Sequence, residues 1–216
     1  METVKSPAEG RVLLRNASWE TYERLMAERE ERPVPRFFYD RGVLEISSPS
    51  KRHEEIRRVI GLLIEELATE MGIDVLAAGS TTFKREDLAR GFEPDECFYF
   101  GDAAGRVRPM DDVDLDAGDP PPDLVVEADL TSSSLNKLPI YAQLGVAEVW
   151  RYAGGRPAIL GLQGDRYESM EQSRFLPPLT GEDLERFVEE GLKIERPEWV
   201  HGVRRWARSR GDGPET

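Results

Sequence analysis

The sequence predicts a mixed α/β fold with an αβββαβ core, preceded by a helix and a β-hairpin and followed by further strands and helices. Three observations carry that prediction. Ile56, Val59, Ile60, Leu63, Ile64 and Leu67 recur at helical spacing. Leu124, Val125, Val126, Ala128 and Leu130 form a short apolar run between Pro120-Pro-Pro and Thr131-Ser-Ser-Ser, as a core strand does. Ile73 to Phe83 and Gly91 to Phe100 supply two more strand-like runs between that helix and that strand.

Length and charge narrow the class. At 216 residues the chain suits one well-buried domain, expected over residues 1–195, with 196–216 a basic C-terminal helix and frayed tail. No apolar run approaches the roughly 20 residues that span a bilayer, so no membrane association is expected. The opening Met-Glu-Thr-Val-Lys-Ser-Pro lacks the basic and apolar regions of a signal peptide, which predicts a cytoplasmic protein. The single cysteine, Cys97, fits a reducing compartment as a buried structural thiol. Against 29 basic residues stand 42 acidic ones, a formal charge of −13, which argues against a surface that binds polyanions broadly. A phosphate-bearing partner then needs a local basic patch or metal ions.

Taken in order, residues 1–16 carry little pattern. Ser18 is a capable N-cap, Glu20 falls in the first turn, and helix formers follow, so a helix is expected over 18–30. Pro35 to Ile46 then forms two strands joined by a tight Asp40-Arg41-Gly42 turn. Glu45, in the second strand, is expected on a solvated face. Ser47-Ser-Pro-Ser opens the long helix, which Gly72 ends. His53 and Glu54 lie in its first turn, where the macrodipole favours an acid and a functional group can face a strand end. Capping or packing is the preferred role for His53.

Within Gly91 to Phe100, Pro94 is tolerated at the start of the strand, and Asp95 follows it, placed to meet a second acid across a sheet. Residues 101–119 turn polar and read as a surface loop. Its run Asp111, Asp112, Asp114, Asp116, Asp119 lacks the glycine and glutamate spacing of a calcium loop. After the central strand, Leu135, Leu138, Tyr141 and Leu144 mark a short helix ending at Gly145. Pro139 must sit in its first turn, which fixes Lys137 at the positive end of the helix, a place where a cation needs an acidic neighbour. Strands from Val146 and from Asp165 follow, then a capped amphipathic helix from Thr180. Trp199 to Arg210 is the one locally basic segment, expected to dock on the domain or a partner subunit or else to touch phosphates.

Glu127 is the residue that apolar packing does not explain. It interrupts a buried strand, and an ionised carboxylate there must be paired, protonated or bound to a cation. Alternation puts Val125, Glu127 and Asp129 on one face and Leu124, Val126 and Ala128 on the other. Two hard oxygen donors on one face suit Mg²⁺ or Mn²⁺ better than zinc. The alternative is structural: Glu127 and Lys137 form a buried ion pair and Asp95 caps a turn.

The order of elements, with Pro94-Asp95, Glu127 and Lys137, resembles the PD-(D/E)XK nuclease superfamily and its restriction-endonuclease-like fold. More closely, Glu93-Pro-Asp-Glu-Cys-Phe-Tyr-Phe, Asp119-Pro-Pro-Pro-Asp-Leu-Val-Val-Glu, Thr131-Ser-Ser-Ser-Leu-Asn-Lys, Tyr141 and Leu144-Gly-Val-Ala-Glu-Val-Trp-Arg-Tyr look like the Uma-two family, over about residues 18–190. The resemblance implies a Mg²⁺- or Mn²⁺-dependent endonuclease acting on DNA. Asp95 and Glu127 are then metal ligands, Lys137 the catalytic cation, and His53, Glu54 and Asp129 secondary candidates. In the orthodox pattern the lysine follows the acid by two residues on the same strand, and Asp129 stands there instead. Ser133 replaces an aspartate that many relatives carry four residues before the lysine. A homodimer is expected, since a two-fold pair cuts both strands most simply. The competing expectation is a catalytically silent nuclease-fold protein that binds nucleic acid or protein partners.

Overall fold

The computed structural model describes residues 10–29, 34–110, 112–128 and 136–211. The N-terminal part runs β1 (Gly10–Arg15), α1 (Trp19–Arg29), β2 (Arg36–Asp40), β3 (Val43–Ser48) and α2 (Lys51–Glu70). Next come β4 (Val75–Ala77), β5 (Phe83–Arg85), β6 (Arg90–Phe92), β7 (Glu96–Phe100), α3 (Gly101–Val107) and β8 (Leu124–Glu127). The C-terminal part runs α4 (Leu138–Leu144), β9 (Glu148–Ala153), β10 (Arg156–Gln163), β11 (Arg166–Ser169), α5 (Gly181–Gly191) and α6 (Arg196–Gly211).

Two sheets result. The larger has the order β11-β10-β9-β8-β7-β4, antiparallel except where β8 and β9 run parallel across the α4 connection. Its elements α2, β4, β7, β8, α4 and β9 are the expected αβββαβ core. The smaller sheet, β1-β3-β2-β6-β5, is antiparallel throughout. Its hairpin turns at Arg41 and Gly42, both at positive φ, as a two-residue connection between twisted strands requires.

The larger sheet is covered on both faces. Helices α2, α5 and α6 bury Leu63, Phe98, Val126, Trp150, Phe187 and Trp199 on one side. On the other, α4 and the inner face of the smaller sheet enclose Cys97, Tyr99, Val125 and Tyr141 with Phe38 and Phe92. The expected alternation along β8 holds, with Leu124, Val126 and Ala128 in the first cluster and Val125 in the second. The basic segment docks on the domain: Trp199, Val203 and Ala207 are buried, and Arg204 pairs with Glu66 at 2.6 Å.

Several local expectations change. β1 lies in the stretch without a sequence pattern and pairs with β3 from Gly10↔Ser48 to Arg15↔Val43. The run 73–83 is not one strand, because the chain turns at Gly79, at φ +62, and Phe83 opens β5 in the other sheet. Gly91 to Phe100 likewise divides into β6 and β7 around Pro94, which has no N–H for a ladder. The expected loop 101–119 begins as α3, whose Ala104 and Val107 are buried against the sheet. Glu45 is not solvated but fully buried, since the smaller sheet closes its inner face on the larger. The tail 212–216 lies outside the described residues.

Candidate active site

The register Glu96↔Val126, Cys97↔Val125, Phe98↔Leu124, continued by one pair, sets Asp95 opposite Glu127. Directly opposed residues of an antiparallel pair hold their Cβ atoms about 5 Å apart on one face. The two acids thus share the face of Cys97 and Val125. Both are buried.

Asp95 is held by three elements. His53 Nε2 lies 2.8 Å from Oδ2, the Ala128 N–H donates to the same oxygen at 2.7 Å, and the Arg36 guanidinium pairs with Oδ1. Burial alone pushes the Asp95 carboxyl up, but the His53 hydrogen bond and the charges of His53, Arg36 and Lys137 outweigh it and hold the group well below the usual carboxylate range. Ser50 caps α2 by accepting the His53 N–H at 3.3 Å, so His53 enters the site from the first turn. Glu54, one residue on, accepts from Arg36 at 2.9 Å and from Arg57 at 2.9 Å.

Glu127 is gripped by one helix. Lys137 Nζ donates to Oε2 and the Tyr141 hydroxyl to Oε1, each at 2.5 Å. These residues stand four apart, one above the other on α4. Lys137 is the N-cap residue of α4, with Pro139 in the first turn as expected. Its ammonium also lies 3.8 Å from the centroid of the Phe38 ring, a cation–π contact with the smaller sheet.

The structure therefore brings Asp95, Glu127, Lys137, His53 and Glu54 into one connected cluster. Asp129 and Ser133 lie outside the described residues. Among the described residues, no group of three or more His, Cys, Asp or Glu side chains converges as a metal cage.

Three participants are missing from the sequence reading. Arg36 lies two residues before Phe38 and so on the same face of β2, but which face of β2 closes on the acids depends on how the second sheet packs. Glu93, two residues before Asp95, is buried and accepts from both terminal nitrogens of Arg29, at 2.7 and 2.6 Å, from the Phe37 N–H at 2.8 Å and from Thr82 Oγ1 at 2.6 Å. It ties α1, β2 and the turn before β5 to the segment that carries Asp95. Arg11, on the unpatterned N-terminal strand, lines the pocket above Asp95 and Lys137.

Together these features define a mixed α/β protein with a buried acidic pair and its lysine where the interior strands β7 and β8 meet α4. A solved structure titled "a putative nuclease belonging to DUF820 from Anabaena variabilis" superposes with a TM-score of 0.54 at 14% identity, covering 79% of this chain and 98% of that one. The chain belongs to the Uma2 family, described as "Putative restriction endonuclease", whose model matches residues 19–195. No curated protein matches it.

Proposed function

We propose that this chain is a divalent-metal-dependent endonuclease that hydrolyses DNA phosphodiester bonds, with Asp95 and Glu127 as the metal-holding carboxylates and Lys137 as the cation beside the reacting phosphate. The observation that carries this reading is the cross-strand Asp95–Glu127 pair with Lys137 bonded to Glu127. Family membership supports the same chemistry.

The donors suit the ion. Carboxylate oxygens are hard ligands, and magnesium sites take one or two carboxylates, with water and substrate phosphate completing the octahedron. Asp95 and Glu127 would hold Mg²⁺ or Mn²⁺, which would supply a bound water of lowered pKa and a Lewis acid for a phosphoryl oxygen. The protein's own part is orientation and charge. His53 and the Ala128 N–H fix one oxygen of Asp95, Tyr141 fixes one of Glu127, and Lys137 offsets negative charge as it develops. A homodimer in the cytoplasm, cutting both strands, completes the proposal.

One observation favours a second reading. Both carboxylates are already matched by cations, Asp95 by Arg36 and Glu127 by Lys137. A nuclease fold stabilised this way serves as a silent module that binds nucleic acid or protein partners.

Calorimetric titration of Mn²⁺ into wild type and Glu127→Gln, beside incubation of each with supercoiled plasmid and Mg²⁺, separates the two. The nuclease reading expects saturable binding and plasmid cutting by wild type, both lost in the variant. Wild-type protein that leaves the plasmid intact at millimolar metal overturns it in favour of the silent module.

A further inference from the structure

Helices α2 and α6 lie side by side and run in the same direction. Arg204 of α6 meets Glu66 of α2 at 2.6 Å, an offset of 138 residues along the chain. One turn further on, Arg208 meets Glu70 at 3.4 Å, at the same offset. Carried about two turns the other way, toward the start of both helices, that offset sets Arg196 against Arg58, and both line one groove. The arginine–glutamate pattern becomes arginine against arginine. Among the described residues neither Arg58 nor Arg196 pairs with an acid, and both are exposed.

The groove they line has a volume of about 500 Å³. Gly191 belongs to it: a Cβ there would meet Val59 Cγ1 at 2.7 Å and the Trp199 ring at 3.0 Å, so α5 has to end on a glycine for α6 to settle on α2. The other charges of the groove are matched. Glu55 is shared by Lys51 and Arg52, at 3.5 and 3.6 Å. Arg57 lies between Glu54, at 2.9 Å, and Glu96. Arg58 and Arg196 are the surplus, in a chain whose formal charge is −13. Neighbouring like charges repel, and the macrodipole disfavours Arg196 as the first residue of α6. A bound anion offsets both costs.

The groove opens beside the acidic pair. Glu54, on its wall, holds Arg57 with one oxygen and Arg36 with the other, and Arg36 in turn holds Asp95. Arg58 stands one turn beyond Glu54, about 6 Å along α2. A guanidinium matches phosphate oxygens through two parallel N–H donors. We propose that Arg58 and Arg196 bind the phosphodiester backbone of a nucleic-acid strand next to the reacting phosphate, so that the groove between the starts of α2 and α6 holds the substrate. The substrate class rests on the nuclease reading. Arg196 lies just past the family match, which ends at residue 195, and so the contact draws on the C-terminal helix of this chain.

The test is fluorescence anisotropy of a labelled DNA duplex in EDTA across a salt series, with wild type, Arg58→Gln, Arg196→Gln, Arg58→Glu and the control Arg166→Gln on β11. Backbone binding here predicts that each of Arg58→Gln and Arg196→Gln weakens affinity about five- to tenfold at about 0.1 M salt and lowers the slope of log Kd against log salt by about 0.9. Arg166→Gln removes the same charge and should change neither. Arg58→Glu sets an acid opposite Arg196 and completes the ion-pair pattern of the two helices. It should bind weakest of all while melting no lower than wild type, which separates lost binding from lost folding. Wild type that binds while both Arg58→Gln and Arg196→Gln, folded by circular dichroism, keep its affinity and slope overturns the groove and leaves the nuclease reading standing. Losses of equal size in Arg166→Gln also overturn it, since net charge alone would then govern binding. Should one of the two Gln variants in the groove not fold, the other decides. Wild type that binds no duplex at low salt overturns the groove, and plasmid cutting then decides the nuclease reading separately.

Discussion

On one side of the β7–β8 pair, Phe98, Leu124 and Val126 pack into a continuous apolar layer under α2, α5 and α6. On the other side, one residue out of phase, Asp95 and Glu127 stand among Arg36, His53, Lys137 and Tyr141. The backbone is the same, and only the alternation of side chains separates the two. The dry face gains stability from area and contact density. The charged end of the other face gains much less, because each buried charge loses its hydration before its partner restores it. A strand pair can therefore carry apolar layers on both faces, with Cys97, Tyr99 and Val125 on the second, and leave only the end of that second face, at Asp95 and Glu127, to chemistry.

Substitutions on each face put this division to the test. The largest effect is expected for Phe98→Ala, which should lower unfolding free energy by about 3–5 kcal/mol in urea denaturation. Mn²⁺ affinity of the folded fraction should not change. A shift in affinity would mean that the faces are mechanically coupled.

Next in size is Lys137→Met, which removes the ammonium from the buried Glu127 carboxylate and should cost about 3 kcal/mol. Combining it with Glu127→Leu should restore stability to within about 1 kcal/mol of wild type while abolishing metal binding and cleavage. A double variant no more stable than the single one would make the polar face a structural element after all.

The smallest effect concerns pH. The Asp95 carboxyl titrates below its unfolded value of about 3.9, so its stabilisation is fully present above that pH and is lost as pH falls through the folded value. Thermal melts in EDTA should show Asp95→Asn less stable than wild type by a constant margin above about pH 4, with the gap closing in more acid buffer. A gap that widens instead would mean Asp95 is not the stabilised carboxylate.

Much of this division is legible in sequence because it follows from local rules. The alternation around Glu127 separated the faces of β8, and Ser50, Pro139 and Thr180 marked helix starts through backbone chemistry. Asp95 was placed at a strand start by Pro94, and Lys137 at the head of α4 by Pro139. Arg36 and Arg11 were not legible, since nothing local tells a strand which face a distant sheet will cover. Glu45 was misjudged for the same reason: its exposure is decided by how the second sheet packs. His53 was read as a capping or packing residue, and its contact with Asp95 joins residues 42 positions apart through α2 and β7.

By itself the sequence determined the αβββαβ order, the α2 and α4 helices, the β8 strand and the acidic residues with their lysine, because strand period, helix period and capping act over a few residues. The tertiary structure alone decided that the N-terminal sheet folds over the acids, that Arg36 and His53 converge on Asp95, and that Arg11 faces inward while Val12 and Leu14 face out. Those are packing outcomes between segments far apart in the chain, where the free energy depends on mutual burial and charge compensation that no single stretch encodes.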